Sequence, residues 1–300
     1  MKKKFVFLGD TDSINIEIIS KSHQSLKSKL KYIIIGNSEE LLIYLERLSS
    51  KLKINEIYDP IKFTDYKIDY LNIFNVQNIS HEKSDNLLNQ INISNYLANK
   101  SKFDLVTMPI NKSVFKKKID FTGMTEYFGK INNKNTKMLM LGDKFSIIPF
   151  TTHINLKDIS KNITNEKVST FIKDVLCVIK NKIYKIHFKE IKFLCYNPHC
   201  GENGTLGNED IILKKCVTKF KDLSGLYSAD SAFNAFKKGT LFISTYHDQG
   251  LIPFKIINKE RINFTLGLNF RRLSPAHGTA KDIKMRDIAD NSSYIECMKF

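Results

Sequence analysis

The chain has 300 residues, 42% of them hydrophobic, enough to bury one large core or two linked ones. No apolar stretch approaches the roughly 20 residues that a bilayer-spanning helix needs, so membrane residence is not expected. The formal charge of +16 raises nucleic acid as a partner, but the lysines that dominate it are scattered. There is no arginine-rich run, zinc-finger spacing or aromatic-basic signature, so no specific nucleic-acid binding is expected; the milder reading is a field that attracts phosphorylated and carboxylated substrates.

In chain order, Met1–Asp10 opens with lysines and a short apolar run that Asp10 ends. That run is too short for a signal peptide and reads as a first buried strand, which implies a cytoplasmic protein. Further strand-like runs follow Phe5–Leu8 at Tyr32–Ile35, Leu105–Ile110, Phe145–Phe150, Phe193–Tyr196 and Leu241–Tyr246. Gly36-Asn37-Ser38 before Glu39-Glu40 reads as a strand end and a helix start, with Ser38 able to accept from first-turn amides. Residues 61–100, polar and asparagine-rich, read as irregular connection followed by helix. Lys157–Ile179 carries helical apolar spacing. Strands alternating with helices argue for α/β architecture. The cysteines, Cys177, Cys195, Cys200, Cys216 and Cys297, are odd in number and widely spaced, and read as reduced thiols. Cys200 reads as a small loop or core residue, since no second cysteine stands at zinc-site spacing.

Three histidines share one context. His153, His199 and His247 each follow an apolar run by one to three residues. In open α/β sheets ligands bind beyond the carboxyl ends of such strands. Imidazoles delivered there can hold one metal and leave coordination positions open, although separations near fifty residues are not a local metal signature. No Gly-x-Gly-x-x-Gly fingerprint is present: Gly201, Gly204 and Gly207 have the wrong spacing for a Rossmann loop.

The residues around these histidines resemble the signature segments of the 4-hydroxythreonine-4-phosphate dehydrogenase family of pyridoxal phosphate biosynthesis. They are Thr151-Thr152-His153, Asn197-Pro198-His199-Cys200-Gly201-Glu202 and Tyr246-His247-Asp248-Gln249-Gly250. Met108–Lys112, Phe121–Glu126, Ala229-Asp230, Lys255, Asn263–Leu268, Arg272 and His277-Gly278-Thr279-Ala280 continue the pattern in order. The match runs from about Asp104 to about Ala289 and is weak in the N-terminal third.

The resemblance implies two α/β/α subdomains with a cleft between them, similar to the isocitrate and isopropylmalate dehydrogenases. The first subdomain would comprise residues 1–119 plus 287–300, and the second residues 120–286. It implies His153, His199 and His247 as ligands of a divalent metal (zinc, or magnesium or cobalt) shared across a homodimer interface. Lys255, Asn263, Arg272, Thr125 and the position of Met124 would contact a phosphorylated substrate. Asp248 and Lys255 would serve catalysis, with Asp230 as a further proton-handling or orienting group. His277, Gly278, Thr279 and Ala280 would lie near the adenosine of NAD or NADP.

The implied reaction is oxidation and decarboxylation of 4-phosphooxy-L-threonine to 3-amino-2-oxopropyl phosphate. Neutral imidazoles leave a metal's charge uncompensated, so it can acidify a secondary alcohol and later polarise a ketone. Three departures keep alternatives open. Met124 stands where the family has histidine, Ala276 where it has aspartate, and Thr11–Asn15 where it has a glycine-containing loop, which makes close backbone approach near Gly9 doubtful. The alternatives are a related dehydrogenase for another phosphorylated hydroxy acid, or a catalytically degenerate homologue.

Overall fold

The computed structural model describes residues 1–116, 118–119 and 121–300, which divide into two compact units. Unit 1 comprises Met1–Asn135 and Leu268–Phe300, and unit 2 comprises Thr136–Gly267. The chain passes through β1 (Lys2–Phe7), α1 (Asn15–Leu26), β2 (Leu30–Gly36), α2 (Ser38–Arg47), β3 (Lys53–Glu56), β4 (Tyr70–Asn75), α3 (Lys83–Ser101), β5 (Asp104–Thr107) and α4 (Met124–Asn132). In unit 2 it continues through β6 (Lys137–Gly142), β7 (Phe145–Pro149), α5 (Asn165–Ile179), β8 (Glu190–Leu194), α6 (Glu209–Val217), β9 (Gly225–Tyr227), α7 (Ala229–Ala232), β10 (Thr240–Ser244), α8 (His247–Ile257) and β11 (Arg261–Leu266). It returns to unit 1 with β12 (Arg272–Pro275) and α9 (Ser292–Lys299).

Unit 1 orders its strands β3-β4-β2-β1-β5-β12, all neighbours parallel. Side chains alternate across a strand, and β1 uses both faces. Phe5 and Phe7 join a cluster with Leu87, Ile91 and Leu97 of α3. From the opposite face, Lys4 Nζ donates to the carbonyl of Cys297 in α9 at 2.9 Å. Burial on both faces explains why β1 and β2 read as continuous apolar runs. Unit 2 orders its strands β11-β6-β7-β10-β8-β9, with β7, β10, β8 and β9 parallel and β6 antiparallel to both of its neighbours. Phe145 of β7 packs on Phe242 of β10 and Phe254 of α8, and Phe150 packs on Phe171 of α5. The α/β architecture expected from the alternation is therefore present in each unit.

Several local expectations change. The unit boundaries fall at 135/136 and 267/268, rather than at 119/120 and 286/287. The reason is packing: Phe128 of α4 sits in the unit 1 cluster against Phe270, and β12 pairs with β5. Asn37, not Ser38, caps α2, its side chain accepting from Glu40 N at 2.9 Å. The 157–179 helix starts at Asn165, because Thr164 caps it by accepting from Lys167 N; Leu156–Asp158 and Ser160–Asn162 are short 3₁₀ turns. The asparagine-rich stretch contains β4, in which buried Asn72 accepts from Asn55 Nδ2 and Lys67 N and donates to Lys67 O, so its polarity is satisfied internally.

Candidate functional site

β7, β10 and β8 are consecutive, parallel strands of unit 2. Their carboxyl ends therefore lie side by side, and each leads to one of the three histidines. Phe150 N and Thr151 N donate to Ser244 O and Thr245 O, extending the β7–β10 pairing to the doorstep of His153 and His247. Gln249, in the first turn of α8, clamps the other side. Its Oε1 accepts from Thr245 N at 2.8 Å, and its Nε2 donates to Cys195 O at 2.7 Å. One amide thus fixes the spacing between the ends of β10 and β8.

The His153 and His247 rings lie 5.8 Å apart between centroids. His247 Nδ1 is 2.7 Å from Asp248 Oδ1. With Nδ1 donating to the carboxylate, Nε2 keeps its lone pair, the tautomer a metal ligand requires. His199 has a different neighbour. Its imidazole is 65% exposed, and its Nδ1 lies 3.9 Å from Asp230 Oδ2. The Ser228 hydroxyl, donating to Asp230, holds that carboxyl below the usual carboxylate range. The donor chemistry suits a divalent ion, and His153 and His247 bring two imidazoles near one another. Among the described residues, however, no three His, Cys, Asp or Glu side chains form a group that would hold a metal. The expected three-histidine set is thus incomplete in this single chain.

The loop bearing His199 overturns one expectation. Cys195 and Cys200 form a disulfide, with Cα atoms 5.0 Å apart, whereas all cysteines read as reduced thiols from their spacing. The pairing arises because His199, Cys200, Gly201, Glu202 and Asn203 all adopt left-handed backbone, which coils Cys200 back onto the end of β8. Sequence separation alone carries no sign of such a turn.

The remaining substrate candidates divide between the units. In unit 2, Lys255 is exposed in the last turn of α8, and Asn263 Oδ1 on β11 is buried with no hydrogen-bond partner among the described residues. In unit 1, Arg272 is fully buried. Its Nη2 donates to Thr107 Oγ1 at 2.6 Å, its Nη1 reaches Thr125 Oγ1 at 3.5 Å, and its guanidinium lies over the Phe128 ring. Burial pushes its pKa down to about 10, against the pull of Glu126, so it remains a cation at neutral pH. Met124, one residue before Thr125, packs against the unit 1 apolar cluster.

His277, Gly278, Thr279 and Ala280 are pinned to the loop after β1. Thr279 O accepts from Ile14 N, and the following Lys281 and Lys284 both pair with Asp12. Burial holds the His277 pKa below its ordinary value, and its buried Nε2 has no hydrogen-bond partner among the described residues. A Cβ on Gly278 would meet nothing within 4 Å, so the backbone there leaves room for a ligand.

Gly9, just before the altered loop, is itself tightly packed. Gly9 has φ +74°, and a Cβ there would lie 2.6 Å from Pro109 O. This turn buries Asp10, whose carboxylate accepts from Asp12 N and Asn111 N and pairs with Lys83. Beside it opens a cavity of about 630 Å³ lined by Gly9, Thr11, Glu40, Lys83 and Gln90. Asp10, Glu40 and Lys83 are site candidates that the sequence reading missed. Their one legible signal is the Gly-Asp pair at the end of the first buried strand.

The family model for pyridoxal phosphate biosynthetic protein PdxA matches residues 28–300, so the likeness extends through most of the N-terminal third. The 4-hydroxythreonine-4-phosphate dehydrogenase of Sulfurihydrogenibium sp. (strain YO3AOP1) is 34% identical over 314 residues, covering 100% of this chain and 97% of that protein. The enzyme of the same name from Aquifex aeolicus (strain VF5) is 34% identical over 313 residues, covering 99% and 97%. A crystal structure of 4-hydroxythreonine-4-phosphate dehydrogenase from Klebsiella pneumoniae matches with a TM-score of 0.84 at 24% identity, over 100% of this chain and 98% of that one, a likeness of fold.

Proposed function

This chain belongs to the PdxA family of pyridoxal phosphate biosynthetic proteins, and on that premise we propose that it catalyses the NAD(P)-dependent oxidation and decarboxylation of 4-phosphooxy-L-threonine to 3-amino-2-oxopropyl phosphate. The observation that carries the reading is the delivery of His153, His247 and His199 from the carboxyl ends of three adjacent parallel strands. That edge is where α/β sheets place their ligands.

A divalent metal, zinc or else magnesium or cobalt, would be held by these imidazoles. When bound it supplies Lewis-acid polarisation of the alcohol and of the later ketone. The chain's own groups do the rest. Asp248 holds His247 in the tautomer that leaves Nε2 available. Arg272, held by Thr107 and Thr125 and still charged, would supply positive charge toward a phosphate. Lys255 adds a mobile charge, and Asn263 Oδ1 an acceptor seeking a donor. The His277–Ala280 segment, with its buried imidazole nitrogen and open Gly278, suits the adenosine end of NAD or NADP.

Because one chain holds only part of the metal set, the reading includes a homodimer that completes it. Exposed Ile154 and Leu156 beside His153, and Ile252 and Ile256 on α8, supply apolar surface for that pairing.

The test is nicotinamide reduction with release of carbon dioxide from 4-phosphooxy-L-threonine, together with metal analysis of the active protein. No reduction with that substrate at any metal loading sinks the proposal. Met124 favours a second reading, a dehydrogenase for another phosphorylated hydroxy acid, because a thioether cannot donate the hydrogen bond of an imidazole. A substrate panel separates the two.

A further inference from the structure

Cys195 is held rigidly and almost out of solvent. It is 1% exposed, its N donates to Tyr227 O at 2.8 Å, and its carbonyl is clamped by Gln249. The next two amides, Tyr196 N and Asn197 N, both donate to the buried carboxylate of Asp210. One sulfur of the bridge is therefore anchored to the sheet. The other, on Cys200, belongs to the left-handed run His199–Asn203. Four of those five residues are not glycine, and L-residues disfavour successive left-handed backbone. Such a run persists only where surrounding bonds over-determine it. The bond to Cys195 is the covalent tie that does so, and it acts on the residue next to His199.

A bridge over a sequence separation of five closes a short loop, for which the constraint on the unfolded chain is small. Its effect is local shape rather than global stability. In reducing compartments such bonds are characteristically transient or redox-sensing.

We propose that Cys195 and Cys200 form a reversible thiol–disulfide switch that sets the conformation of the His199 loop. The oxidised form withholds His199 beside Asp230, and the reduced form releases it. The oxidant is a low-molecular-weight disulfide, RSSR. The Cys200 thiolate attacks one sulfur of RSSR, forming a mixed disulfide and expelling RS⁻. The Cys195 thiolate then attacks the Cys200 sulfur and expels the second RS⁻. The two cysteines lose two electrons and two protons, and RSSR becomes two RSH. The effect on function rests on the reading of His199 as a metal ligand; the effect on the loop does not.

The experiment uses the full chain equilibrated in reduced or oxidised glutathione. Alkylation in denaturant after an acid quench, read by peptide mass spectrometry, should show Cys195 and Cys200 losing reactivity together under oxidation, while the buried thiols of Cys216 and Cys297 stay reduced. Hydrogen exchange across 198–204 should speed up on reduction. Zinc titration should show the reduced protein binding about ten- to a hundredfold more tightly, the scale seen when groups that orient a ligand change. Cys195→Ala and, at the less buried position, Cys200→Ser should each abolish the redox dependence of exchange and of zinc affinity. The switch is overturned if Cys195 and Cys200 stay alkylatable in oxidised glutathione, or if exchange across the loop is the same in both states. A redox-dependent loop without nicotinamide reduction from 4-phosphooxy-L-threonine would instead sink the functional reading and leave the switch standing.

Discussion

Arg271 grips Asp104 with two nearly parallel hydrogen bonds, Nε at 2.6 Å and Nη2 at 2.7 Å. The same carboxylate lies 3.2 Å from the Nζ of Lys4, which is wholly buried. One buried anion therefore serves two cations where β1 and β5 pair. Burial, the largest influence, holds the Lys4 pKa below its ordinary value, and Asp104 opposes that shift.

Asp104→Asn keeps the shape but removes the charge. Lys4 would then be a buried cation with no compensating anion, and breaking a buried pair from one side costs about 3–5 kcal/mol. Chemical denaturation should show the midpoint falling with an unchanged slope. A loss under about 1 kcal/mol would mean that water or relaxation solvates Lys4 in the variant.

His23 ties stability to pH. It is buried, with Nδ1 2.7 Å from Tyr32 Oη. Burial lowers its pKa, Lys27 lowers it further, and Asp69 pulls the other way. The folded state thus prefers the neutral ring, while the unfolded chain takes up a proton near pH ~6.5. The stability this contributes is complete above that pH and is lost as pH falls toward the folded pKa. The slope is at most about 1.4 kcal/mol per pH unit. His23→Gln should flatten stability between neutral and mildly acidic pH; an unaltered slope would assign the acid sensitivity elsewhere.

For Arg272, replacement by lysine keeps charge and loses the planar donor pair. A hydrogen bond to a charged group contributes about 1.5–3 kcal/mol, so KM for 4-phosphooxy-L-threonine should rise by about ten- to a hundredfold. Turnover of unphosphorylated 4-hydroxy-L-threonine should change little. Equal damage to both substrates would make Arg272 a packing residue on Phe128 and not a phosphate anchor.

Alanine at His153, His199 or His247 should each lower bound metal and turnover together, read by metal analysis alongside nicotinamide reduction. Full metal occupancy in all three variants would put the metal elsewhere.

Ile252→Asp combined with Ile256→Asp places charge on the exposed face of α8. Sedimentation should show a dimer for the parent chain and a monomer for the variant, with activity lost in parallel. A fully active monomeric parent would end the shared-site reading.

What could be read beforehand follows from how each element satisfies itself. The runs ending before His153 and His247 were legible because β7 and β10 are buried on both faces, which demand apolar residues, and the run before His199 because β8 ends in buried Phe193 and Leu194. β4 was not, because Asn72 and Asn55 bury their amides against each other, and composition cannot distinguish a buried, bonded asparagine from a solvated one. The start of α5 was misplaced because Ile159 and Ile163, both buried, continue the helical apolar spacing although they flank a 3₁₀ turn outside the helix. The disulfide was invisible because it depends on backbone handedness, which side-chain spacing does not encode. Asp10 was overlooked because its role comes from the Gly9 turn that seals it under Pro109, a contact nearly a hundred residues away in the chain.

The Gln249 clamp has a further bearing on the bridge beside His199. It grasps main-chain atoms, Thr245 N and Cys195 O, and so does not read the side chain at position 195. A thiol can come or go there without loosening the end of β8. The scaffold that aims the histidines and the bond that modulates one of them are mechanically separate, so redox control is an accessory that can be removed while the framework keeps its shape.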